Sequence, residues 1–229
     1  KKQELKKRSC NDGIPSLIVP SACFRCRTDL MKKKLIQQNL MPLLAASVLS
    51  YATNRRLDRK KLTLLVTALI FGCVGDTCLL FDAFPLFAGG IGAFLLGHIC
   101  YVSIFGRESW KGMDWKAWVA GGVVMAGLVF GLIKILHVSG ALLPPMAVYG
   151  TMLMLLMFST FCGLLRLRDK GTWFLLFLGS VLFTFSDCMI AAGTFETLVF
   201  PLQDFVIMVT YVVAQSLLAI GTVRLAQVN

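Results

Sequence analysis

Residues 62–81 read LTLLVTALIFGCVGDTCLLF, twenty residues whose single charge is Asp76. About 20 apolar residues are what a helix needs to cross roughly 30 Å of hydrocarbon. Residues 172–192, TWFLLFLGSVLFTFSDCMIAA, repeat the pattern around a lone Asp187. An aspartate near the bilayer centre costs roughly 2.5–3.5 kcal/mol on insertion scales, and such residues face a bundle interior rather than lipid. Two of them on separate helices ask for a role.

Further apolar runs lie at 35–53, 86–105, 117–136, 142–165 and 202–224, making seven readable spans. Backbone amides in lipid must find partners within the protein, so the spans are helices. The expectation is an all-α, polytopic transmembrane helix bundle over 35–229. Composition agrees: 57% of the 229 residues are hydrophobic, 15% are charged, and mean hydropathy is +0.75. A soluble domain sits nearer half apolar and a quarter charged.

The net charge of +11 is unevenly spread, with ten of 23 basic residues before residue 35. The segment 54–61, NRRLDRKK, carries five more, and Arg107, Lys111, Lys116, Arg166, Arg168 and Lys170 fill the next loops on that side. Loops around Phe84, Ser139 and Phe200 carry no Lys or Arg. Basic loops alternating with bare ones mark the cytoplasmic face and anionic lipid headgroups, so the pI gives no reason to expect nucleic acid. The basic loops and the C-terminus, with Arg224, are therefore expected in the cytoplasm. Trp110, Trp115 and Trp118 read as an aromatic belt at one boundary. Residues 1–34 are basic, lack periodicity and break the alternation; they read as a disordered or non-native segment outside the bundle.

Eight cysteines give no secreted disulfide framework, since five fall within spans, where a thiol acts as a small apolar group. Cys23 and Cys26 form a C-x-x-C with Cys10 upstream, but no second pair or His completes four ligands. No metalloprotease, P-loop, nucleophile-elbow or dinucleotide motif occurs. The expectation is no metal and no cofactor.

Asp76 and Asp187 are the candidate catalytic pair. Gly72 and Gly75 flank Asp76 and let a helix or ligand approach closely. Ser180, Thr184 and Ser186 surround Asp187 and are able to donate to a carboxylate. Gly89, Ala93 and Gly97 form a packing stripe at four-residue spacing. On the same helix His98 and Tyr101 share a face, as Tyr211 and Gln215 do on the 202–224 span. Tyr149 follows Pro144 and Pro145. Each of these polar residues reads equally as interhelical glue.

Gly75-Asp76, Phe94-Leu-Leu-Gly-His98-Ile-Cys-Tyr101, Ala147-Val-Tyr149-Gly150, Ser186-Asp187 and Tyr211-Val-Val-Ala-Gln215 follow one another on successive spans. Together they resemble the lysoplasmalogenase (YhhN-type) membrane family, from about residue 35 to the C-terminus. The resemblance implies an eight-helix fold whose first span has no counterpart in 1–34. It implies hydrolysis of the vinyl ether bond of a lysoplasmalogen to a fatty aldehyde and a glycerophospho-ethanolamine or -choline. Asp76 and Asp187 would divide acid and base roles, while His98, Tyr101, Tyr149, Ser186, Tyr211 and Gln215 would bind the lysophospholipid. The expected partners are that substrate and membrane lipids, and the expected location is a bacterial cell membrane. A proton-coupled carrier or lipid-binding protein without chemistry is the alternative, because intramembrane aspartates serve transporters too.

Overall fold

The computed structural model describes residues 42–48, 50, 57–79, 84–136, 140, 143–195 and 202–227. All lie in one unit, Gln37–Asn229. Six long helices follow one another: α1 (Arg59–Cys78), α2 (Phe84–Ser109), α3 (Trp115–Ile135), α4 (Leu143–Arg166), α5 (Lys170–Thr194) and α6 (Gln203–Ala226). All six are long and apolar enough to cross a membrane. Among the described residues there is no strand, only an isolated bridge between Leu57 and Gln227. Large apolar side chains point outward, Val123 at 68% and Phe130 at 62% exposure, while Asp76, His98 and Asp187 are buried. That distribution inverts the one water selects. The chain is a multi-pass membrane protein.

Of the expected span 35–53, residues 42–48 are helical, and Val48 packs into the core. The assignment of 1–34 as a separate segment, with Cys10, Cys23 and Cys26, lies outside the described residues.

α1 begins at Arg59, ahead of the expected 62, because Asp58 caps it and accepts from the Lys60 N–H at 2.9 Å. Hydropathy leaves the basic residues in the loop; capping draws them into the first turn. α4 carries Pro144 and Pro145 in its opening turn, where no intrahelical N–H is missed.

The basic residues at this end do more than mark topology. Lys61 Nζ donates to the Leu225 carbonyl at 3.0 Å, on the last turn of α6, and pairs with Glu108 at 3.2 Å. Arg166 donates to the Ser109 carbonyl at 2.9 Å and the Gly112 carbonyl at 2.6 Å, where α2 ends. Lys170 reaches the Leu164 and Leu165 carbonyls of α4 at 2.6 and 2.9 Å. A helix C-terminus has unpaired carbonyls and a partial negative charge, so α2, α4 and α6 are each closed by a cation.

The main packing pairs are α1–α2, α2–α4, α4–α5 and α5–α6, and α1 also meets α6. α3 rests mainly on α4, and none of its residues is buried. α1 and α2 approach through bare backbone: a Cβ on Gly97 would lie 3.2 Å from the Ala68 carbonyl, and one on Gly90 3.4 Å from that of Gly75. Gly89 has nothing within 4 Å. The contact row therefore runs through Gly90, Ala93 and Gly97, with a three-then-four spacing in place of the expected four-and-four. This is a close-packed seam in which small residues let two backbones approach. At the basic end Trp110 packs on Trp118 at 5.0 Å, while Trp115 is 70% exposed.

Two stability predictions follow from these contacts. A Cβ on Gly163 would fall 1.9 Å from the fully buried ring of Trp173. Gly163→Ala is expected to cost about 1–3 kcal/mol, as overpacking does, read as a lower unfolding midpoint in detergent. Asp169 caps α5, and hydrogen bonds from Thr172, side chain first and then backbone, hold its carboxyl below the usual aspartate range. Asp169→Ala should cost about 1 kcal/mol at neutral pH. The gap to wild type should narrow as acid protonates the native carboxylate below that range, which unfolding measured across pH will test.

Candidate functional site

Five helices send polar side chains into one region of the interior. Asp76 lies two residues before the end of α1 and Asp187 seven before the end of α5, whereas Tyr149 and Tyr211 lie in the first third of α4 and α6. All four thus sit toward the helix ends opposite the lysine and arginine caps. At 1.5 Å rise per residue, Asp187, Tyr149 and Tyr211 are about 9–12 Å along their helices from that end. His98 on α2 is nearer mid-helix.

The two carboxylates come within electrostatic reach of each other, and both reach Tyr211. The Tyr149 hydroxyl donates to Oδ2 of Asp187, which leaves Oδ1 for other partners. Tyr101 donates to Oε1 of Gln215 at 2.6 Å, tying α2 to α6. Gly72, one turn before Asp76, makes room for this pairing: a Cβ there would meet the Tyr211 hydroxyl at 3.3 Å and the Gln215 amide nitrogen at 3.7 Å. Gly75 likewise clears the Phe94 ring, 2.8 Å from its would-be Cβ.

The tautomer of His98 follows from one contact. Its Nδ1 lies 2.7 Å from the Phe94 carbonyl. A carbonyl only accepts, so Nδ1 carries the proton and Nε2 of the neutral ring offers a lone pair. That nitrogen is buried and has no hydrogen-bond partner among the described residues, and the buried Tyr211 hydroxyl lies beside the Gln215 amide. The imidazole is held edge-on against Phe183 at 4.7 Å and Tyr149 at 5.4 Å, and Phe183 also packs against Tyr211 at 5.4 Å.

Most of the residues singled out in the sequence converge here: Asp76, His98, Tyr101, Tyr149, Asp187, Tyr211 and Gln215. The hydroxyls expected to serve Asp187 go elsewhere. Ser186 donates to the Ile207 carbonyl at 3.2 Å, Thr184 to the Ser180 carbonyl at 2.9 Å, and Ser180 pairs with Thr160 at 2.8 Å. A hydroxyl in a lipid-embedded helix finds a backbone carbonyl before it finds a distant carboxylate. The donor to Asp187 is a tyrosine on the neighbouring helix. Phe94, quoted only as the start of a motif, and Phe183 both shape the site, although neither carries an expected role. Each precedes a site residue by four, Phe94 before His98 and Phe183 before Asp187, and that spacing places them on the same faces.

A pocket of about 50 Å³ adjoins Asp187, lined by Val129, Leu132, Ile133 and Leu136, by Met146, Tyr149, Gly150 and Leu153 of α4, and by Asp187, Cys188 and Ala191 of α5. A larger one, about 660 Å³ beside Asp169, Thr172 and Arg224, carries none of the site residues. Among the described residues no group of three or more His, Cys, Asp or Glu is placed to hold a metal ion.

The profile of the YhhN family matches residues 33–222. Lysoplasmalogenase TMEM86B of Homo sapiens is 32% identical over 162 residues, 70% of this chain and 64% of that protein. The proteins of the same name from Mus musculus and Rattus norvegicus are 30% and 31% identical over 161 residues, again 70% of this chain, and 64% and 62% of their own lengths. The chain thus spans less than two thirds of these relatives. No solved structure matches significantly.

The Tyr101–Gln215 bond supplies a test of the site's architecture. Tyr101→Phe leaves a buried amide oxygen without its donor and should cost about 1–3 kcal/mol. Adding Gln215→Leu should cost less than the sum of the two single changes, a coupling measurable by a double-mutant cycle of unfolding in detergent.

Proposed function

The chain belongs to the YhhN family, and from that premise we propose that it is a membrane hydrolase cleaving the vinyl ether bond of lysoplasmalogens. The products are a fatty aldehyde and a glycerophospho-base. The relatives named lysoplasmalogenase support this reading. The observation that supports its chemistry is the burial of two aspartates with shared surroundings: Tyr149 bonds Asp187 and packs on His98, while Tyr211 faces Gly72, one turn before Asp76, and packs on Phe183, one turn before Asp187.

Vinyl ether hydrolysis needs a proton delivered to carbon and an anion beside the cation that forms. In this mechanism the two carboxyls hold one proton between them. One protonates the alkene carbon remote from the ether oxygen, and the double-bond electrons form the new C–H bond. The adjacent carbon becomes an oxocarbenium ion. The other carboxylate stabilises that charge in a site where water is scarce and each electrostatic contact counts for more. Water adds to the cation and loses its proton to the carboxylate that acted as acid. The resulting hemiacetal collapses to aldehyde and the glycerol hydroxyl. This division of labour is the one glycosidase carboxyl pairs use.

The neighbours have roles consistent with their geometry. Tyr149 holds one oxygen of Asp187 so that the other faces the reaction. His98 Nε2, a fixed acceptor, takes a hydrogen bond from the attacking water, and the Tyr211 hydroxyl donates to the ether oxygen or to that water. Gln215 and Tyr101 position Tyr211. Ser186 braces α5 against α6. We also assign the capped, basic end to the cytoplasm, as the positive-inside rule predicts.

Asp76→Asn and Asp187→Asn are each expected to lower aldehyde release from a lysoplasmalogen by at least about a hundredfold, within the range for loss of a general acid or base. Both variants should still insert and keep a wild-type elution profile in detergent. His98→Gln should lower kcat more than it raises KM. Near-normal release from either asparagine variant would sink the paired-acid mechanism.

A further inference from the structure

We propose that the cleft between α3, α4 and α5 is the place where the substrate's single hydrocarbon chain enters from the bilayer and lies during the reaction. This rests on the hydrolase reading and adds to it the seat of the chain.

The cleft has the composition such a seat needs. Tyr149 and Asp187 stand in its wall, and Val129, Ile133, Gly150 and Leu153 are among the apolar groups around them. The bond that breaks joins the chain's first carbon to the glycerol oxygen. That carbon must therefore reach Asp187 with the rest of the chain leading away through apolar surroundings. From Asp187 the cleft leads toward α3, and α3 borders lipid.

α3 is also the wall that binds least to the bundle. None of its residues is buried, and it packs mainly on α4. Leu136 joins Ala191 and Ala192 of α5 in a small cluster against which Ile133 and Met146 pack, and this cluster forms part of the cleft's apolar wall. Val129 faces Gly150 of α4, whose would-be Cβ lies 3.8 Å from a Val129 methyl. The missing side chain keeps the seam open. The resting volume of about 50 Å³ holds about one or two methylene-sized groups. One chain fits such a seam when α3 moves slightly outward; two chains side by side do not. A narrow seam thus favours single-chain lipids over the diacyl lipids that surround the protein in far greater number.

The test uses a lysophosphatidylcholine carrying a diazirine in its chain, photolysed with the purified protein in diacyl-phosphatidylcholine vesicles, with labelled peptides mapped by mass spectrometry. Label is expected on the cleft-facing residues of α3 and α4 around Val129, Ile133 and Gly150. It should be displaced by unlabelled lysolipid and not by extra diacyl lipid. Gly150→Leu, which fills the seam, should remove it; Val124→Leu, on the lipid-facing side of α3, should not. In the aldehyde assay, Gly150→Leu should lower the ratio of kcat/KM for a long-chain over a short-chain vinyl ether by about tenfold or more, the loss of roughly two buried methylenes. Label spread evenly over the exposed faces of α3, or displaced equally by diacyl lipid, would overturn the proposal by marking the cleft as ordinary lipid-facing surface. The labelling does not depend on turnover. Wild-type protein that labels in the cleft yet releases no aldehyde would refute the hydrolase reading while leaving the chain site standing.

Discussion

Hydrocarbon supplies no hydrogen bonds, and most of this architecture answers that constraint. Helices satisfy their own amides. Hydroxyls inside the bundle turn back on their own helix: Ser109 to the Phe105 carbonyl, Ser159 to that of Leu155, Thr222 to that of Leu218. Where a helix stops, its last carbonyls need a donor, and Lys61, Arg166 and Lys170 provide one at the end where α2, α4 and α6 finish. Once these obligations are met, few polar atoms are left over. Among the described residues, Trp110 Nε1 is one such atom at the basic end, and His98 Nε2 is another, beside Tyr149 and the Asp187 that Tyr149 bonds.

Small residues convert this arrangement into a close-packed one. Gly72, Gly75, Gly90 and Gly97 let α1 lie against α2 and α6 with almost no side-chain thickness between. The helix bearing Asp76 is thereby brought within reach of Tyr211 and Gln215. Gly163 does the same for Trp173 between α4 and α5. Such contacts replace a hydrophobic drive that is absent between helices surrounded by lipid tails. The same glycines that hold the bundle together define the space at the site.

Much of this was legible in the residues. The spans showed as apolar runs because a membrane imposes length and polarity together, and Asp76 and Asp187 stood out because nothing else charged lies deep in a span. Face-sharing pairs such as Tyr211 and Gln215 were readable because helical spacing fixes direction. What escaped was anything set between helices. Helical spacing alone does not say that Tyr149, thirty-eight positions earlier in the chain, donates to Asp187. Nor does it say that Ser186 turns to the Ile207 carbonyl instead. The stripe on α2 was displaced by one residue, from Gly89 to Gly90, because the seam depends on the crossing of two helices and not on either one. The start of α1 moved outward because a capping aspartate outweighs three flanking positive charges.

The contacts between α1 and α6 bear on how the protein is made. The Asp58 N–H bonds the Ala226 carbonyl at 2.8 Å, Lys61 caps the final turn of α6, and Gly72 receives Tyr211 and Gln215. Among the described helices α1 and α6 are therefore mutual partners, although four other helices separate them in the chain. During synthesis that face of α1, which bears Gly72, stays uncovered until α6 has been made. Closure of the bundle therefore waits on α6, and the surroundings of Asp76 are complete only once that helix has packed against α1.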